Sequence, residues 1–320
     1  MPKEQTSNQV ESGIQNETVI KEAILQSPVN IKFEFPEHEG RELKPGSHFV
    51  FQLPLEVQNF IVRDVVLKHR KGERYQINIS SDGYDPYGAY SRVELRDLDK
   101  NTWQQWRDPE GYNSDKFAEP RSSYDPEHEI LHDWVATVGK IRADEIRVTN
   151  VGQHPEYSTS QIHGLEIIFF PNLENTRFEE KIYTSGTAFI DLESNKLLPS
   201  YGGGEKTGGI YKDALILKRD RLVLDLEVGQ QLIQMEVAVG DTENIGGRTR
   251  LGWAKLWVGI QHAGSGQVEW FIQNANVPPQ GVIAGGPNFK DSLIKNGDKL
   301  VIESRADTSY IMGWRLAYKK

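Results

Sequence analysis

The chain has 320 residues, with 29 glycines, 3 methionines, no cysteine and a formal net charge of −9. That length favours two domains of ordinary size, and the lack of cysteine removes disulfides, thiolate metal sites and cysteine nucleophiles together. The acidic balance repels phosphate, which excludes nucleic acid as a general partner.

No apolar run is long enough to span a bilayer, so no membrane insertion is expected. The start, Met1-Pro2-Lys3-Glu4-Gln5-Thr6, lacks the apolar stretch of a signal peptide. A soluble protein synthesised in the cytoplasm is the expectation, with the final location open.

Residues 1–28 form an arm rich in Gln, Asn, Glu, Ser and Thr. Within it, Glu17 to Leu25 sets Val19, Ile20, Ala23 and Ile24 at helical spacing, which predicts one or two turns of helix. The arm is expected to be mobile unless it docks on a partner, and docking on a second copy would build a homo-oligomer.

From Val29 the pattern changes to a period of two, the mark of a strand with one buried face. Tyr75, Ile77 and Ile79 alternate with polar residues, as do Val93 and Leu95, and Ile146 and Val148. Lys44-Pro45-Gly46, Arg70-Lys71-Gly72, Asp82-Gly83 and Asp108-Pro109-Glu110-Gly111 supply turns between strands. Residues 29–172 are thus expected to form one sandwich, 173–185 a linker and 186–320 a second sandwich. In the latter, Leu222 to Val228, Ile233 to Val239 and Tyr310 to Tyr318 alternate in the same way. The segment holding Trp253 and Trp257 is apolar on both sides, which predicts core packing there; Trp134, Trp270 and Trp314 are also expected in the core.

The halves align in order. Residues 76–83 resemble 234–241, and each is followed by a strand, near Ser91 and near Leu251. Residues 140–148 resemble 294–302, and 162–167 resemble 311–316. An internal duplication is expected.

The late Gly297-Asp298-Lys299-Leu300-Val301-Ile302 strand and the closing Met312-Gly313-Trp314-Arg315-Leu316 strand resemble those of galactose-binding-like and carbohydrate-binding-module sandwiches. The expected fold class is therefore all-β: two tandem antiparallel jelly-roll β-sandwich domains. Such families bind sugars on end loops or on a sheet face, and others are structural, so the likeness implies fold before function.

Three constellations could carry chemistry. Asp82 to Tyr90 places Tyr84, Tyr87 and Tyr90 beside Asp82 and Asp85. Flat rings next to carboxylate acceptors suit a sugar, and the two aspartates are candidate Ca²⁺ ligands. Trp103 and Trp106 differ in strand parity, so both cannot face one core, and one is available as a platform. His128-Glu129-Ile130-Leu131-His132 is an H-E-x-x-H string, which on a helix would hold Zn²⁺ between His128 and His132 with Glu129 activating water. Its flanks, Glu127 and Asp133, are charged, no third ligand follows, and the repeat places the segment in a connecting loop. The glycines of residues 202–209 lack the spacing of a phosphate loop.

The reading ranked first is a non-catalytic binding protein for a glycan or a protein surface, with Ca²⁺ as the candidate ion. A structural component of a virion or surface assembly comes next. A hydrolase is third, using zinc or the tandem layout, which is similar to that of peptide:N-glycosidase F-type amidases with acidic residues near the domain interface.

Overall fold

Alternating sequence becomes strand almost throughout the computed structural model, which describes residues 18–20, 24–27, 30–35, 40–72, 91–105, 130–152, 154–183, 190–191, 196–197, 215–239, 254–277, 282–287, 292–305 and 309–320. Among these residues there is no α-helix, only the short 3₁₀ turns Leu55–Val57 and Leu173–Asn175.

The first half contributes β1 (Thr18–Ile20), β2 (Ile24–Ser27), β3 (Asn30–Glu34), β4 (Arg41–Leu43), β5 (His48–Gln52), β6 (Ile61–Lys71), β7 (Ser91–Asp97), β8 (Thr102–Gln105), β9 (Leu131–Asn150) and β10 (Ser160–Phe169). The second contributes β11 (Thr176–Ile182), β12 (Ile190–Asp191), β13 (Lys196–Leu197), β14 (Leu215–Leu217), β15 (Arg221–Asp225), β16 (Leu232–Val239), β17 (Ala254–Gln261), β18 (Val268–Val277), β19 (Val282–Gly285), β20 (Lys299–Ser304) and β21 (Ser309–Lys319).

In the first half β9 is long enough to serve two sheets. Its first part, from Leu131 to Arg142 with a register shift on the way, pairs with β6 and completes the order β3–β10–β6–β9. Its last part, from Ala143, pairs with β5 and β7 and makes the order β5–β9–β7–β8. The second half runs β11–β21–β16–β19 in one sheet and β15–β20–β17–β18 across the other. Position by position the two halves follow one eight-strand order, that of the double-sheet jelly roll.

Each half has its own core. Phe33 of one sheet meets Phe51 of the facing sheet edge-on, ring centroids 5.3 Å apart, within a cluster running from Ile31 to Phe169. Leu256, Val258, Ile260, Leu300, Ile302, Trp314 and Tyr318 belong to the second cluster. Val66 and Ile168 of the first half pack into that second cluster. Gly164 marks a bulge in β10, where a Cβ would stand 2.4 Å from the Phe33 carbonyl oxygen.

Two contacts weld the halves. β18 lies parallel to β9, with Ala275 opposite His132 and Asn276 opposite Asp133, so one sheet continues across the junction. Beside it lies a sealed charge cluster. Arg63, fully buried, donates from Nη1 to Asp64 Oδ2 at 2.9 Å, and its Nη2 lies 3.3 Å from Glu236 Oε1. Arg315 donates from Nε to the other Glu236 oxygen at 2.5 Å, and Gln234 donates to the Phe169 carbonyl at 3.1 Å.

Several expectations are corrected. Of the segment 17–25, the described residues 18–20 and 24–25 are strand and not helix: β1 joins β5 in parallel and β2 joins β3 antiparallel, because edge strands offer unpaired backbone groups and Thr18, Val19 and Ile20 suit extended backbone. The segment 173–185, expected as a linker, carries β11, paired along its length with β21. β15 stops at Asp225, and Val228 stands in the turn that follows.

Replacing Arg63 with Leu strands the buried Asp64 carboxyl, leaves Glu236 to Arg315 alone and is expected to cost about 3–5 kcal/mol, read as a drop in the urea midpoint. The Asp64 carboxyl is pushed from its ordinary 3.8 up to about 6, by burial first and by the Glu236 charge, against the pull of Arg63. The folded chain therefore holds this proton more tightly than the unfolded one. Its stabilisation is complete below 3.8 and is lost as pH rises to about 6, a change on the order of 3 kcal/mol. The melting temperature should fall between pH 4.5 and 7, and Asp64→Asn should flatten that part of the profile.

Candidate functional site

The described site best equipped for binding lies on the outer face of the β15–β20–β17–β18 sheet. Along β17 the alternation sends Leu256, Val258 and Ile260 into the core, which leaves Trp257 on the opposite face. Register places Glu303 between Arg221 and Trp257 on neighbouring strands, and sets Trp270 opposite Gly259. A Cβ at Gly259 would stand 2.3 Å from the Glu269 carbonyl oxygen, so only glycine fits beneath this platform. Trp257 and Trp270 are both partly exposed and meet edge-on, centroids 5.6 Å apart at 81°.

Charged groups frame the pair. The Arg305 guanidinium sits 3.8 Å from the Trp257 ring centre and donates from Nε to Glu303 Oε1 at 2.8 Å. Arg221 donates to Glu303 Oε2 at 2.6 Å. Burial alone would raise the Glu303 carboxyl; Arg305 and Arg221 outweigh it and hold the group below its ordinary 4.5. Arg219, Asp220, Arg221, Glu303, Ser304 and Arg305 line a shallow groove of about 500 Å³.

The first half repeats the theme on its corresponding sheet, β5–β9–β7–β8. Trp103 is half-buried on β8, with the Arg147 guanidinium 4.2 Å from its ring centre. Arg147 is held by Glu94 at 2.9 Å, which also draws Arg92 at 3.5 Å, and Arg96 bridges Asp144 and Glu145. A ligand stacking on that face of Trp103 would have to displace Arg147.

Of the other residues singled out in the sequence, Asp82, Tyr84, Asp85, Tyr87, Tyr90, Trp106 and His128 lie outside the described residues. His132 is described, in β9, with its backbone opposite Ala275 and Lys68. The zinc string needs a helix to bring its histidines onto one face one turn apart, and His132 stands on extended backbone instead of the helix or connecting loop considered for it. Among the described residues no three His, Asp or Glu side chains gather as a metal site. At the junction, where an amidase layout would put its acids, Asp64 and Glu236 are sealed and neutralised by Arg63 and Arg315. His262 lies 3.3 Å from Glu269 and 3.7 Å from Asp298, which accepts from the Ala263 and Lys295 amides; this group staples a turn and holds no nucleophile.

Trp257 and Trp270 were assigned to the core and are corrected here to the outer face. The signal for Trp257 was its parity, out of phase with Leu256, Val258 and Ile260. For Trp270 no signal existed, because its face depends on a register shift between β17 and β18.

No protein-family model matches the chain, and no curated protein does. Among solved structures it is similar to a recombinant peptide:N-glycanase F, with 10% identity, coverage of 91% of this chain and 96% of that one, and a TM-score of 0.25. A protein from an archaeal virus, described for its triple jelly roll fold and turret assembly, shares 10% identity over 88% of this chain and 59% of its own length, at a TM-score of 0.19. The CUB1-EGF-CUB2 region of human MASP-1/3 shares 11% over 91% and 99%, at 0.23. Likenesses this distant assign no family and no activity, and the jelly-roll description rests on strand order.

Replacing Arg305 with Ala is expected to change stability by less than ~1 kcal/mol, as for an exposed cation–π pair, while altering tryptophan emission as the guanidinium leaves the indole. A larger loss in a urea titration would make the Arg305–Trp257 contact structural.

Proposed function

We propose that this chain is a non-catalytic binding protein whose ligand is a carbohydrate. The observation that carries the reading is the Trp257–Trp270 pair, set on a solvent-facing sheet beside a groove with guanidinium donors. Sugars present C–H faces that stack on indoles and hydroxyls that pair with charged side chains, and a sheet face supplies a rigid base for both. In the first half, Trp103 with the Tyr84, Tyr87, Tyr90 and Trp106 segment is the second candidate surface, and Asp82 with Asp85 the candidate Ca²⁺ site.

Assembly is the second reading. Val228 and Leu293 are 55% and 54% exposed and adjoin each other, since the Gly229 amide donates to Ile294 and Gln231 bridges to Leu293. Such an apolar pair suits contact with a neighbouring subunit.

A glycan array followed by calorimetry, with and without Ca²⁺, tests the first reading. A hit is expected, with Trp270→Ala weakening it about tenfold or more, equivalent to ~1.4 kcal/mol. No binding under either condition removes the reading. Light scattering on the same samples decides assembly, which a strict monomer at high concentration would exclude.

A further inference from the structure

We propose that the groove beside Trp257 selects an anionic saccharide, its carboxylate against Arg221 and Arg305 and a sugar ring against Trp270; this rests on the carbohydrate-binding reading above. The argument comes from which hydrogen-bonding groups the cluster has already used. Glu303 gives one oxygen to Arg305 and the other to Arg221. Asp220 gives Oδ1 to the Arg221 amide at 2.7 Å. Both Glu303 oxygens are thus engaged within the cluster, and Asp220 keeps Oδ2 as the acceptor that remains.

More donors remain. Arg305 spends its Nε on Glu303 and one face on Trp257, which leaves both Nη groups without a partner among the described residues. Arg221 spends Nε and Nη2 on Glu303, leaving Nη1. A neutral sugar brings hydroxyls that need acceptors as well as donors; a carboxylate brings acceptors alone, in the planar geometry that guanidinium groups match.

Charge points the same way. Among the described residues that line the groove, Arg219, Arg221 and Arg305 outnumber Asp220 and Glu303, in a chain whose net charge is −9. Arg219 stands in the turn before β15 at φ 49°, a left-handed conformation glycine would adopt at lower cost. A cation at that bend is thus held against a local backbone penalty, at the mouth of the groove.

The test uses the full chain and a matched pair of ligands, an oligogalacturonate and its methyl ester, which share a shape and differ in charge. By calorimetry the acid form should bind at least tenfold tighter than the ester, and the gap should narrow between 50 and 300 mM NaCl. Arg305→Gln, checked for unchanged melting, should reduce the acid form's affinity about tenfold and so narrow its advantage over the ester, while Trp270→Ala should weaken both. Equal or tighter binding of the ester, or a preference that survives Arg221→Gln together with Arg305→Gln, overturns the inference and leaves carbohydrate binding standing. Failure of every saccharide, neutral or charged, removes both. Binding of the acid form that inorganic sulfate displaces fully, and that Trp270→Ala leaves intact, marks an anion site without sugar recognition and also overturns it.

Discussion

The Arg63 guanidinium sits where water cannot reach it, and the relation between the two halves depends on how its charge is met. One partner, Asp64, is its neighbour in sequence; the other, Glu236, comes from the second half and is shared with Arg315. Stripping an ion of water costs several kcal/mol, repaid only by close opposite charges. Pulling the halves apart would leave Glu236 and Arg315 paired with each other but deprive Arg63 of one of its two carboxylates. The jelly rolls therefore behave as one body, and the parallel join of β18 to β9 fixes how the Trp257 sheet is presented relative to the first half.

Alternation made most strands legible. Val93 and Leu95, Ile146 and Val148, and Met235 and Val237 are buried as their period implies. The faults came where a strand owes its existence to a partner. Thr18 to Ile20 is extended because β5 had an open edge, and Thr176 to Ile182 because β21 did; neither partner can be seen in a short window of sequence. The strand orders of the two halves correspond, and two of the sequence likenesses between the halves fall on corresponding strands. Residues 140–148 and 294–302 fall on β9 and β20, and 162–167 and 311–316 on β10 and β21, strands that hold matching places in the two orders. Residues 76–83, set against 234–241 in sequence, lie outside the described residues.

The candidate site was less legible than the fold. Trp103 could be singled out by parity because its surroundings are polar. Trp257 was obscured because Lys255 is the only charged residue near it on β17, and a strand rich in apolar residues reads as core. What opens that face is the absence of any layer over it among the described residues, and a layer is a property of topology. Glu303, Arg305 and Arg221 are ordinary surface charges in sequence; only cross-strand register turns them into one cluster with the indoles.

The two short strands near the chain start have a further consequence. β1 lies along the outer side of β5 and β2 along the outer side of β3, so strands close together in sequence cover one rim of each sheet in the first half. Uncovered rims are templates onto which another chain can add strand after strand. The second half guards its rim differently: β15 is five residues long and begins and ends on a charge, Arg221 and Asp225. Loss of residues 18–27 would bare the five-residue edges β3 and β5 together, opening the backbone groups of both sheets to pairing with another chain.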